Sequence, residues 1–92
     1  MSEIYVAVET SCDGEQTVVV SADTSLLEIV AKINRRSFED VDYFEILRYD
    51  LGDWVKTIML EPELSDVRAY DGSKLYHEFS PVEVCRLMEN AK

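Results

Sequence analysis

Two short carboxylate pairs, Asp40-x-Asp42 and Asp50-x-x-Asp53, place oxygen ligands at spacings that a hard cation can use. Neither fits a calcium loop, and two carboxylates alone hold a cation weakly. Turn and capping roles account for them better, so no metal is expected. Acid–base hydrolysis by paired carboxylates needs one acid kept protonated in a buried pocket. Acids are too plentiful here to single out such a pair. The one histidine, His77, with Cys12 or Cys85, offers the parts of a nucleophile and its base. A lone histidine among aromatic residues is more often structural. The three glycines are scattered, so no phosphate loop forms, and no zinc spacing occurs. The residues therefore argue for a protein that is not an enzyme and uses no cofactor.

Charge is the stronger signal. Nineteen Asp and Glu face nine Lys and Arg in 92 residues, giving a formal net charge of −10 and a pI near 4.3. No basic residue precedes Lys32, whereas Glu3, Glu9, Asp13, Glu15, Asp23 and Glu28 all do. Residues 37–71 hold Glu39, Asp40, Asp42, Glu45, Asp50, Asp53, Glu61, Glu63, Asp66 and Asp71 against Arg48, Lys56 and Arg68, a net of −7. Such a surface repels nucleic acid and anionic membranes and attracts basic proteins. A net charge of about 2–8 already keeps a small domain soluble, so solubility alone does not call for this excess. Apolar residues make up 47% and aromatics 10%, too much for an acidic disordered tail. The carboxylates thus belong to a folded surface.

The elements that must position them are legible in outline. Ile4, Val6 and Val8 alternate with Tyr5, Ala7 and Glu9 as in a half-buried strand. Asp13-Gly14 marks a turn, and Thr17-Val18-Val19-Val20 reads as the returning strand. Ser25-Leu26-Leu27-Glu28 is a capping box, after which Leu26, Ile29, Val30 and Ile33 share one helical face. Lys32, Arg35 and Arg36 then complement the negative end of the helix dipole. Residues 37–42 read as a polar, acidic connection. Tyr43 to Tyr49 alternates again, Asp50-Leu51-Gly52-Asp53 turns the chain, and Trp54 to Leu60 returns. Pro62 suits the first turn of a short helix, with Glu61, Glu63 and Asp66 near its positive end. Leu75 to Phe79 reads as a short strand. Ser80-Pro81-Val82-Glu83 opens a last helix with Val84, Cys85, Met88 and Ala91 on one face.

One domain is expected over residues 1–92, of α+β class: two β-hairpins in a mostly antiparallel sheet with helices on one face. Three short helices cannot cover both faces. Most of Tyr43, Phe44, Tyr49 and Trp54 are expected in a packed core, and any left exposed would mark an interface, a second copy of the chain included. Two cysteines are too few for a secreted disulfide scaffold, residues 1–9 read as a strand and not as a signal peptide, and no apolar run approaches a membrane span. A cytoplasmic protein is expected.

The run from Ile4 to Val8, the Asp13-Gly14 turn, Thr17 to Val20 and the capped helix resembles the opening of ubiquitin-like β-grasp domains. Phe44 to Val55 resembles the second hairpin of Phox-and-Bem-type interaction domains, whose acidic turn Asp50, Gly52, Asp53, Glu61 and Glu63 match in outline. Leu51 stands where that turn carries a central acid. This resemblance implies an acidic face docked on a basic partner domain. In size and charge the chain is similar to small acidic phage-encoded inhibitors of the antirestriction and anti-CRISPR type. That similarity implies occupation of the nucleic-acid groove of a host nuclease, by imitation of phosphates.

The mimicry reading needs carboxylates several ångströms apart. Asp40 and Asp42 reach about 6.5–7 Å if their link is extended. Glu63 and Asp66 reach about 5–6 Å if they lie on a helix. Glu9, Asp13 and Glu15 of the first hairpin complete the expected binding surface with the acids of residues 37–71.

Overall fold

The computed structural model describes residues 3–90. Its elements are β1 (Glu3–Ser11), β2 (Gln16–Asp23), α1 (Leu26–Asn34), β3 (Val41–Asp50), β4 (Asp53–Leu60) and α2 (Pro81–Glu89). The four strands form one sheet in the order β2-β1-β3-β4, antiparallel at every step. The described residues thus have the expected α+β class, with two hairpins joined through a helix.

Directly opposed residues of antiparallel strands share a sheet face. One face therefore carries Tyr5 and Ala7 of β1, Phe44 and Ile46 of β3, and Ile58 and Leu60 of β4. All six are buried. Onto this face pack Ile29, Val30 and Ile33 of α1 with Val84 and Met88 of α2, which closes the core. The more apolar set of β1, Ile4, Val6 and Val8, faces away from the helices, and it is Tyr5 and Ala7 of the other set that face inward. A bulge opposite Ala7 and Val8 leaves Val20 as the extra residue of β2, and Val20 packs against the core.

Both helices start as expected. The Ser25 and Ser80 hydroxyls accept from the backbone N–H of Glu28 and Glu83, each at 3.3 Å. Asn34 ties the two helices together: its side-chain amide donates to Phe79 O at 3.0 Å and accepts from Phe79 N–H at 2.9 Å. Ala91 lies outside the described residues.

Three expectations are corrected. Residues 37–42 are not wholly a polar connection, because Phe38 is buried and its ring meets Phe44 and Phe79 at 5.3 Å each. The segment after Pro62 forms no helix. Leu75 to Phe79 joins no sheet strand; Leu64 and Tyr76 make a lone bridge. Ser65 N–H donates to Leu75 O and His77 N–H to Glu63 O, so residues 61–80 run out and back as an irregular arm. Tyr76 and Phe79 anchor it against Phe38.

Candidate acidic interface

The sheet brings distant turns to one end of the molecule. There β1, β4 and α1 finish, while β2, β3 and α2 begin. The β1–β2 turn supplies Asp13 and Glu15, and the α1–β3 loop supplies Glu39 and Asp40. The two segments are joined by hydrogen bonds: Gly14 N–H donates to the Asp42 carboxylate at 2.8 Å, and Cys12 N–H donates to Asp40 O at 3.3 Å. Cys12, Asp13 and Asp40 have positive φ, as does Gly14, so both turns are tight. Asp13, Glu15, Glu39 and Asp40 are exposed and Asp42 is half-buried.

At the same end Glu61 and Glu63 leave β4. With His77, Glu78 and Glu83 they line a depression of about 260 Å³ between β4 and the start of α2. Neither cysteine lines it. Cys12 is exposed and Cys85 half-buried, and both are free thiols. Among the described residues, no three His, Cys, Asp or Glu side chains gather so as to hold a metal ion. Asp66 and Asp71 lie on the arm, where Asp71 accepts from Ser73 N–H at 3.0 Å. That bonding from Ser73 lowers the Asp71 pKa below its ordinary value and keeps the carboxylate charged.

Other expected site residues do not add to this exposed set. Glu9 is largely buried and paired with Arg36 at 2.6 Å, so its charge is spent inside the protein. Arg36 is thus held by Glu9, and Lys32 lies 3.9 Å from Asp23; the helix dipole alone does not explain them. Glu45 stands in mid-sheet opposite Val8 and Met59. Asp50 and Asp53 close the β3–β4 turn at the far end. The length of β4, about 26 Å, separates them from Glu61 and Glu63.

Both proposed spacings fail in detail. Asp40 has φ 64°, so its link to Asp42 is not extended. Glu63 and Asp66 share no helix. The carboxylates converge through tertiary contacts between turns and not through a repeat along one element.

The second sheet face is uncovered, as the shortage of helices predicts. Tyr43 and Tyr49 are half-buried on it and Trp54 is exposed, its indole N–H donating to Thr57 Oγ1 at 2.7 Å. Phe44 points the other way, into the core. Among the described residues, no helix is long and apolar enough to cross a membrane. No protein-family model, curated protein or solved structure matches this chain.

Proposed function

We propose that this protein is a non-enzymatic inhibitor that occupies the basic, nucleic-acid-facing site of a nuclease or other DNA-processing protein in the cytoplasm. It would act as antirestriction and anti-CRISPR proteins do. The acidic pole carries this reading. Asp13, Glu15, Glu39, Asp40, Glu61 and Glu63 lie at one end of a domain whose net charge is −10, and there the end of α1 sets Arg35 and Arg36 among them, the latter paired with Glu9. Phosphate-binding grooves are lined with Lys and Arg, and a dense set of exposed carboxylates competes for them by the same Coulomb attraction. Inhibition is by steric occlusion. The rival reading, a ubiquitin-like domain that docks one acidic face, calls on Asp50, Asp53, Glu61 and Glu63 together. The length of β4 between the two pairs disfavours it.

The test is affinity capture from a bacterial lysate with a salt gradient and duplex DNA as competitor. The expected result is a DNA-processing protein that salt elutes and DNA displaces. A basic partner that DNA leaves in place would defeat mimicry and favour the interaction-domain reading. The matching variant reverses Glu15, Glu39, Glu61 and Glu63 to Lys, and spares Asp13 and Asp40, which sit at positive φ, and Asp42, whose carboxylate holds the Gly14 N–H. Binding should be lost with the circular dichroism unchanged. Each single reversal should cost only about 0–1 kcal/mol.

A further inference from the structure

An antirestriction-type role leaves the open sheet face unused, and that face carries few of the many carboxylates of this acidic molecule. From the pairing registers, its central strands present Val6, Val8, Leu47 and Tyr49. The edge strands add Val19, Trp54 and Met59, which are 64%, 59% and 52% exposed. Glu45 is the one charged side chain among the described residues of this face. A solvated face of an antiparallel sheet normally alternates to polar residues. Here most of the residues that alternation should make polar are valine, leucine, tyrosine and tryptophan, with Thr10, Thr17 and Thr57 among them. Monomeric proteins rarely leave an apolar patch of more than a few hundred Å² open to water.

We propose that this face is the interface of a homodimer, in which two sheets stack with the helices outside. The size fits. Strands about 4.8 Å apart, each about eight residues long, give a face of about 19 by 26 Å, close to 500 Å² in projection. Side-chain relief adds to this projected area, and the smaller stable interfaces bury about 600 Å² on each partner. Two such faces pack about 10 Å apart with their strands roughly aligned. The chemistry fits as well. The face is self-complementary in being apolar, as a two-fold contact requires. Trp54 and Met59 are long side chains able to interdigitate. The carboxylates gather at the ends of the strands and on the arm, outside the contact. Glu45 can accept hydrogen bonds from the hydroxyls of Tyr43, Tyr49 and Thr57, residues that the second copy also brings. The dimer leaves both acidic poles free and so adds to the proposed function without depending on it.

Sedimentation equilibrium between about 1 µM and about 1 mM, in about 0.15 M and about 1 M NaCl, tests this. The expected species has twice the 10.6 kDa chain mass, and the higher salt strengthens it by screening like charge. Trp54→Glu with Met59→Glu should raise the dissociation constant about a hundredfold or more. Both side chains are exposed, so the circular dichroism should not change. Should the pair fail to fold, Val19→Glu on the edge strand tests the same face. Leu27→Glu, on the outer side of α1, should leave the dimer intact. Glu45→Gln should tighten it, whereas a cationic occupant of the same face would be weakened. A monomer at every concentration overturns the proposal, as does a dimer that Trp54→Glu with Met59→Glu leaves unchanged. Target binding weakens with salt while the dimer strengthens, so the failure of one is read separately from the failure of the other.

Discussion

Leu51 is the residue most at odds with its place. It opens the two-residue β3–β4 turn at φ 54°, followed by Gly52 at 87°, the left-handed pair of a type I′ hairpin. Asn or Gly favours the first position; leucine there costs about 1–2 kcal/mol and is 80% exposed. Leu51→Asn should therefore raise stability by about 1 kcal/mol in urea denaturation. Tyr5 is the second such residue. Its hydroxyl donates to Glu3 at 3.3 Å beside the Glu3–Arg48 ion pair. Burial, and then the Glu3 charge, push its pKa above the ordinary 10.0. A raised folded-state value means that the contribution of the neutral phenol is whole below pH 10 and is lost as pH climbs through the folded pKa. Absorbance at the tyrosinate band should show a component that ionises above the ordinary 10.0, with unfolding close behind. Tyr5→Phe should remove that alkaline loss of stability.

At the scale of elements, the packing of α2 depends on the Asn34 clamp and the Phe38 ring beneath it. Asn34→Ala leaves both backbone groups of Phe79 without their partner and should cost about 1–3 kcal/mol. Phe38→Ala opens a hole between Phe44 and Phe79 and should cost about 3–5 kcal/mol by calorimetry. The clamp and the ring were differently visible. Both helices and both hairpins could be read because capping serines, Gly turns and period-two or period-3.6 patterns are local. Phe38 could not, since one aromatic in a polar run has no period. The arm of residues 61–80 misled for a related reason. Pro62 and its neighbouring acids meet the rule for a helix start, and Leu64, Val67 and Tyr70 even recur at helical spacing, but all three stay exposed and no helix face is buried there. In β1 the alternation was plain and its sense was not, because the more apolar set, Ile4, Val6 and Val8, is the one turned away from the core.

At the scale of the whole molecule, the acidic pole exists only through topology. Asp13 and Glu39 are far apart in sequence, and nothing in their spacing brings them together; the β1–β3 pairing does. The net charge was legible from composition, its concentration at one end was not. That concentration has a thermodynamic cost, since crowded carboxylates repel. Added salt should therefore raise the melting temperature, most steeply below about 0.5 M, where the Debye length still exceeds about 4 Å. Replacing Asp13, Glu15, Glu39 and Asp40 by their amides should raise the melting temperature at low salt and flatten this dependence.

The order β2-β1-β3-β4 also dictates a history for each molecule. Each hairpin closes a short loop, so both can form early and independently. The central seam is different: its nearest partners, Ser11 and Val41, are already thirty positions apart, and Glu3 must find Asp50. Loop closure must be met in lost entropy before that seam returns anything, which makes it the slow step of folding. Substitutions at Ala7 and Ile46, which face each other across the seam, should slow refolding. Those at Val18 or Met59, on the outer strands, should mainly hasten unfolding. Until the seam closes, each half shows water a bare strand edge, and a chain caught there is open to pairing with the wrong neighbour.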